Sequence, residues 1–550
     1  MNFIDSEYHK WIEKAVADAD LVPELKEMGD KEREDAFYRN LSFGTGGLRG
    51  IIGAGNNRIN VYTVARASQG LSNYLNKKFD KPTVVIGYDT RIKSDIFAKV
   101  AAGVFVENGL RVHLWKEPLP VPTVSFAVRY LHASAGVMIT ASHNPAPYNG
   151  YKVYGSDGCQ ITTEAAAEIF AEIERVDIFA SVINASPEVE YIGEPVLEAF
   201  LDDVKQQSVL YGDEIDRNVA IVYSPLNGTG FKPVMKTLSE SGFTNITVVS
   251  EQKDPDGRFP TCPYPNPEIK EAMELGLQYC RKAGADLMLA TDPDCDRCGI
   301  AVRDGEDYVL LTGNEVGVLL LDYVCSQRSR HGMMPEDPVF IKTIVTTDMA
   351  ERIAKKYGVR TINVLTGFKF IGEQIGRLED IGKTSSYICG FEESYGYLTG
   401  SYVRDKDAVN AAFMICEMFA FYKTRGVSLP DKLNDLYSEY GFCMNTLHSY
   451  TFEGAEGFVR MQSIMKNFRD GIEAIGNLKV KEVLDYNEGI DGLPKSDVLK
   501  YLLVDNSSVV VRPSGTEPKI KIYTSIASED REKALIEEDK ILKDLEKLFG

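Results

Sequence analysis

No apolar run in the chain is long enough to cross a bilayer, so nothing in the sequence asks for a membrane. The opening stretch MNFIDSEYHKWIEK carries acids where a secretory leader would carry a basic stretch and an apolar core. Basic residues are in deficit. Against 81 Asp and Glu stand 61 Lys and Arg, a net charge of −20, which repels a phosphate backbone and argues against nucleic acid as a partner. The nine cysteines are an odd number without a repeated spacing, which disfavours a disulfide framework. A cytoplasmic protein is the expectation. Cys295 and Cys298 have C-x-x-C spacing, but no second pair or nearby His completes the roughly four ligands of a zinc site, so coincidence is preferred. The chain also lacks a G-x-S-x-G elbow, a G-x-G-x-x-G fingerprint and the Walker spacing, which removes α/β-hydrolases and nucleotide binding. It has no short-period repeat and no low-complexity segment.

What is present is globular composition, 44% apolar and 26% charged, over 550 residues. At roughly 150 residues per domain that allows three or four domains. Short β-branched runs followed by helical patterns recur through the first 400 residues: TVVIGYD (83–89), AGVMITAS (135–142), VAIVYS (219–224), DLMLATD (286–292), PVFIKTIVTT (338–347) and RTINVL (360–365). This βα pattern predicts mostly parallel sheets, whose ligands gather in the loops beyond the strands' carboxyl ends. The first 40 residues, with Trp11, Ile12, Val16, Leu21 and Leu25 among charges, read as amphipathic helices packed on the outside. SSVVVR (507–512) and KIKIYT (519–524) read as a strand pair, and 530–549 as a closing helix. Breaks near 210, 312 and 440 divide the chain into 1–210, 211–312, 313–440 and 441–550.

Four loops carry chemistry. In TDPDCDR, closing the strand ADLMLA, Asp292, Asp294 and Asp296 alternate, and an extended backbone would point all three carboxylates the same way. Two such charges about 4 Å apart repel by roughly 4 kcal/mol at an effective dielectric near 20. A hard divalent cation such as Mg²⁺ would remove that cost, while Arg297 could hold a phosphate. A calcium loop is excluded, since its sixth position is Arg297 and its twelfth Arg303. In TASHNP, Ser142 ends another strand, with His143 beside it and Lys152 ten residues on. Ser142 suits a nucleophile or a carrier of a phosphoryl group, and alone it is also an ordinary turn residue. In RPSGTEP, Arg512 and the successive N–H groups of Ser514, Gly515 and Thr516 form an anion nest for a phosphate monoester. In GFEESYG, Glu392 and Ser394 could hold vicinal sugar hydroxyls, or serve a turn or helix cap. GTGGLRG (44–50), with Arg49, is weak evidence by itself.

These loops, in this order and at domain-sized intervals, resemble the α-D-phosphohexomutase superfamily. GTGGLRG, GYDTR (87–91), TGFK (366–369), GFEESYGYL and VRDKDAV (403–409) look most like the branch holding phosphoglucomutases and phosphopentomutase-like enzymes. The resemblance implies an α/β fold of four domains around a central cleft. Three are α/β with mixed, mostly parallel sheets, bearing in turn the phosphoserine, the metal and the sugar loop; the last is a smaller α+β phosphate-binding domain. It implies that Ser142 is the phosphoserine and that Asp292, Asp294 and Asp296, with a phosphoserine oxygen, hold Mg²⁺. Glu392 and Ser394 would hold the sugar, and Arg512, Ser514, Gly515 and Thr516 the phosphate that stays in place. Arg49, Arg297, Thr366, Lys369 and Lys406 would line the substrate site, with His143 and Lys152 available for proton transfer. Where some members carry His two residues after the sugar-loop Ser, this chain has Gly396.

The implied activity is interconversion of glucose 1-phosphate and glucose 6-phosphate through a phosphoserine enzyme and a bisphosphate that turns over in the site, with glucose 1,6-bisphosphate as activator. A phosphopentomutase or phosphomannomutase is the sibling alternative. A metal-dependent sugar-phosphate phosphatase fits less well, because Asp296 stands where D-x-D-x-T requires Thr. A non-catalytic sugar-phosphate sensor would not need both Ser142 and the acid trio. Partners beyond a small phosphosugar are not implied, and the motifs do not specify an oligomeric state.

Overall fold

The runs that read as strands form strands: Thr83–Tyr88, Ala135–Ile139, Ile221–Ser224, Leu287–Thr291, Val339–Thr343 and Arg360–Val364. The computed structural model describes residues 3–44, 46–181, 183–184, 187–452, 454–490, 492–514 and 519–549. The chain divides into two compact units, one comprising the chain up to 312 with 368–389 and 394–424, the other 313–367, 390–393 and the chain from 425 on.

The first unit holds two mixed sheets. One has the order Gly47–Ile51, Tyr148–Gly155, Ala135–Ile139, Thr83–Tyr88, Arg111–Trp115, Glu190–Ile192. Its last four strands run parallel, and the first two are joined antiparallel at the Ala135–Ile139 edge. The other places Leu287–Thr291 parallel to Ile221–Ser224 and antiparallel to Cys298–Asp304. The strands carrying TASHNP and TDPDCDR are both wholly buried, which explains their unbroken apolar runs. Helix Val61–Lys78 covers the first sheet; its Asn60 cap accepts from the N–H groups of Tyr62 and Thr63, satisfying donors that a helix start otherwise leaves open. The amino-terminal helices are Phe3–Lys14, Leu21–Glu27 and Asp30–Phe37. They bury Trp11, Leu21 and Leu25 as the pattern predicts, whereas Val16 is 76% exposed. Val16 follows the end of the first helix, and Ala15 takes the buried position in its place.

In the second unit Val339–Thr343 and Arg360–Val364 pair in parallel. The C-terminal sheet is antiparallel throughout, in the order Phe442–Thr451, Lys519–Ser528, Ser508–Pro513, Leu499–Leu503, Leu478–Asp485, Ala474–Ile475. It is thus larger than the strand pair read from sequence. Phe442–Thr451 and Leu478–Asp485 bury few of their residues and carry no β-branched run to announce them. Helix Arg531–Glu546 packs on the sheet through Ala534, Ile541 and Leu545.

A buried ionic cluster joins the C-terminal sheet to the preceding segment of the same unit. Asp348 accepts from Lys342 at 3.1 Å, Lys500 at 2.7 Å and Ser508 at 2.7 Å. Burial raises the Asp348 pKa, but the two ammonium groups outweigh it and hold the carboxyl below its usual range. Asp348→Asn leaves two lysines buried with less than their countercharge. A loss of about 3–5 kcal/mol in unfolding free energy is expected, and a urea midpoint equal to that of the parent chain would contradict it.

Candidate active site

Ser142 lies just beyond the buried strand Ala135–Ile139, in the left-handed region at φ 52°. A non-glycine residue there costs on the order of 1–3 kcal/mol, so the surroundings must hold it. Two contacts do so. The Ser142 N–H donates to Thr140 Oγ1 at 2.8 Å, and the Arg91 guanidinium donates to the carbonyls of Ser142, Asn144, Pro145 and Tyr148. Arg91 is itself buried, ion-paired to Asp89 at 3.4 Å and laid over the Phe259 ring. With its backbone fixed, Ser142 directs its hydroxyl to Asp292 Oδ2 at 3.0 Å and lies 3.2 Å from His143 Nδ1.

The three aspartates converge, but not by extension. Residues 292–297 wrap into a turn in which Asp292 Oδ1 accepts the N–H groups of Asp296 and Arg297, with Cys295 at φ 52°. A turn brings the alternating carboxylates inward, where a straight strand would have carried them apart along its length. The loop is buried: Asp292, Asp294 and Asp296 are at most 1% exposed, and one ligand oxygen from each lies within 4.8 Å of the others.

Lys152 reaches Asp294 at 2.9 Å and Asp296 at 3.3 Å, and Lys406 reaches Asp296 at 2.9 Å. Asp294 also accepts from Thr140. The electrostatics split the trio. Burial and then the neighbouring carboxylates push the Asp292 pKa well up. Asp294 meets the same burial, but Lys152 and Lys406 hold it below the ordinary range. Lys152 is destabilised by burial and stabilised more by Asp294 and Asp296, so its pKa is raised and it keeps its charge. Burial, reinforced by Arg297 and Arg49, drives His143 down to about 2, which leaves a neutral imidazole beside the serine.

A divalent cation fits this donor set. Asp294 Oδ1 and Asp296 Oδ1 are buried without a hydrogen-bond partner among the described residues, an arrangement that costs free energy unless a cation meets them. The remaining oxygens are committed to Lys152, Lys406, Thr140, Ser142 and the turn itself.

Arg49, exposed on its strand, lies within electrostatic reach of Asp294 and Asp296, and Arg297 is ion-paired to Glu268. Lys406 is held by Asp405, which also accepts from the buried Tyr154 hydroxyl at 2.8 Å. A Cβ at Gly396 would come within 2.5 Å of the Lys406 Cδ. The glycine at 396 therefore makes room for the lysine stem. Ser394 and Lys369 also belong to this first unit, Lys369 being buried with its ammonium 5.1 Å from the Phe370 ring.

Thr366, Glu392, Arg512 and Ser514 belong to the second unit. Thr366 Oγ1 is buried and unpartnered among the described residues, and Glu392 is 5% exposed. Burial, with help from Glu393 and Glu392, pushes the Tyr523 phenol up to about 12 while Arg512 pulls the other way. The carboxylates of Glu392 and Glu393 and the guanidinium of Arg512 therefore act on one phenol. Gly515 and Thr516 lie outside the described residues.

Residues 40–178, 198–305 and 312–440 match the alpha/beta/alpha domains I, II and III of phosphoglucomutase/phosphomannomutase, and 461–539 match its C-terminal domain. The chain belongs to this family, within the α-D-phosphohexomutase superfamily. A phosphoglucomutase of Staphylococcus aureus (strain MRSA252) is 38% identical over 543 residues, covering 94% of this chain and 95% of that protein. Two solved structures share the fold. A phosphoglucomutase/phosphomannomutase family protein from Burkholderia thailandensis has TM-score 0.69 at 18% identity, covering 92% of this chain and 97% of its own. The open form of a phosphoglucomutase, parafusin, from Paramecium has TM-score 0.68 at 16% identity, covering 93% and 95%.

In this phosphohexomutase Arg91 went unassigned in the sequence, although the signal was there: an Asp-x-Arg pair closes the apolar strand TVVIGY, at the end where ligands gather. Arg91→Met should lower kcat by about 10²-fold, the scale of an ångström-sized misplacement of a reacting group, with KM changed little. Steady-state kinetics that move only KM would count against a role in placing Ser142.

Proposed function

We propose that the chain interconverts glucose 1-phosphate and glucose 6-phosphate, with Ser142 as the phosphoryl carrier. The observation that carries this reading is the Ser142 hydroxyl set 3.0 Å from Asp292 within a buried acid trio, in a chain 38% identical to a phosphoglucomutase. Phosphoserine gives its phosphoryl group to the free hydroxyl of a sugar monophosphate: the Ser142 O–P bond breaks, a sugar O–P bond forms, and the sugar hydroxyl proton ends on the freed Ser142 Oγ. After the bisphosphate reverses in the site, its other phosphate returns to Ser142. At that return step the sugar O–P bond breaks and the Ser142 proton passes to the freed sugar oxygen; Asp292 Oδ2 and His143 Nδ1, the polar atoms nearest Ser142 Oγ, are placed to relay it. Lys152, Lys406 and Arg49 supply fixed positive charge around the transferring oxygens.

Asp292, Asp294 and Asp296 would hold Mg²⁺, which when bound supplies Lewis-acid stabilisation of the phosphoryl oxygens. Glu392 and Ser394 would hold the sugar, Thr366, Lys369 and Arg297 would line the substrate site, and Arg512 with Ser514, Gly515 and Thr516 would grip the spectator phosphate. Among the described residues no helix is long and apolar enough to cross a membrane.

The test is a side-by-side assay of glucose, mannose, glucosamine and ribose 1-phosphates, each with and without its bisphosphate. Glucose 1-phosphate should show the highest kcat/KM and stimulation by glucose 1,6-bisphosphate. Ribose or mannose 1-phosphate ahead of glucose would reassign the substrate, and release of inorganic phosphate in place of the isomer would make the protein a phosphatase.

A further inference from the structure

Away from the phosphosugar loops, the second unit carries an open cavity of about 470 Å³, within the range that small-molecule sites occupy. Its walls come from helix Met349–Lys356, from Tyr440, Gly441 and Phe442, from the turn at Asp505 and from helix Arg531–Glu546. Gly441, at φ 84°, is the single residue between helix Leu429–Tyr440 and strand Phe442–Thr451. A molecule in the cavity would therefore touch both segments that meet at this joint.

The charges in the wall are unevenly satisfied. Asp505 accepts from the Ser507 N–H and hydroxyl, both at 2.9 Å, Glu529 is paired with Lys533, and Glu537 accepts from Lys540 at 2.7 Å. Arg352 is the exception: its Nε is buried without a hydrogen-bond partner, and no ion pair reaches its guanidinium among the described residues. A half-buried guanidinium facing open space has one natural complement, a planar carboxylate that accepts two parallel N–H bonds. Of the remaining wall Asn506 and Ser528 are polar, while Phe442, Ala527 and Ile536 offer apolar surface, Ile536 being 52% exposed. The three acids in the wall outnumber Arg352 and Lys533, which disfavours a dianion such as a phosphate monoester.

We propose that this cavity is a binding site for a small monocarboxylate with an apolar body, its carboxylate on Arg352 and its body against Phe442 and Ile536. The test uses 1-naphthoate as probe and 1-naphthyl phosphate as comparison, with the full chain and ligand-observed NMR. Naphthoate should bind more tightly than the phosphate. Arg352→Ala should weaken naphthoate binding about tenfold or more, as expected for loss of a charge-assisted pair. Ile536→Glu, at an exposed position that folding tolerates, should weaken it as well, while Arg512→Ala should not. Hydrogen exchange at residues 440–443 should slow with naphthoate in the parent chain and not in Arg352→Ala. Equal binding by Arg352→Ala and the parent, loss of binding in Arg512→Ala, or unchanged exchange at the joint would each overturn the proposal.

Discussion

Ser142→Ala should abolish isomerisation, lowering turnover by about 10⁴-fold or more, and should remove the mass increment of a phosphoryl group from the protein incubated with glucose 1,6-bisphosphate. The size of the effect follows from the surroundings of the hydroxyl. Asp292 and His143 are its two neighbours, one an acid whose pKa is pushed up by burial and by the carboxylates beside it, the other a neutral imidazole. Neither is placed as an alternative phosphoryl carrier on the protein's backbone: the left-handed turn at φ 52° and the Arg91 clamp present one oxygen, that of residue 142. Because Ser142 sits at the end of a wholly buried strand and its Oγ makes only those two hydrogen bonds among the described residues, alanine should leave the fold intact. The far-ultraviolet spectrum and melting midpoint should therefore match the parent. Retention of isomerase activity by Ser142→Ala would end the phosphoserine reading, and loss of activity together with the fold would fail to support it.

The strand-and-loop organisation was legible because buried parallel strands leave continuous apolar runs, and the loops beyond them carry unlike residues: a serine after AGVMITA, acids after ADLMLA. The convergence of the three carboxylates was legible in outcome and not in cause. The alternation suggested an extended backbone, whereas the geometry comes from two N–H groups folding the chain around Asp292 Oδ1, a local hydrogen-bond competition that spacing does not record. Contacts across long sequence separations were the least visible. Arg91 meets the serine loop some fifty residues later, Tyr154 reaches Asp405, and Gly396 yields its space to Lys406. Each is a property of packing between elements, and a single sequence carries no mark of which elements become neighbours. The C-terminal strands Phe442–Thr451 and Leu478–Asp485 escaped for a related reason, since strands with much of their length exposed need no apolar run.

Asp294→Asn should cost about 10³-fold in turnover, at the upper end of what removing one preorganised electrostatic group costs. The same substitution should weaken Mg²⁺ binding in a titration monitored by calorimetry. The argument lies in how the oxygens are shared out. Asp294 Oδ2 is committed to Lys152 and Thr140, and Asp296 Oδ2 to Lys152 and Lys406, so each acid keeps one buried Oδ1 without a hydrogen bond among the described residues, that of Asp296 lying 3.9 Å from Arg297 Nε. Those two orphan oxygens, with Asp292, are what the chain offers a cation, and an amide at 294 replaces a full charge there by a weak dipole. It also removes the countercharge that keeps Lys152 protonated, so the lysine ammonium should become easier to deprotonate. Two separate losses thus follow from one substitution. Lysine cannot stand in for the metal, because both ammonium groups already sit on the Oδ2 side of their acids. Chelation of the parent chain should accordingly abolish turnover, with recovery on adding Mg²⁺. Turnover that persists in chelator, with Asp294→Asn as active as the parent, would reduce the trio to a buried structural ion cluster.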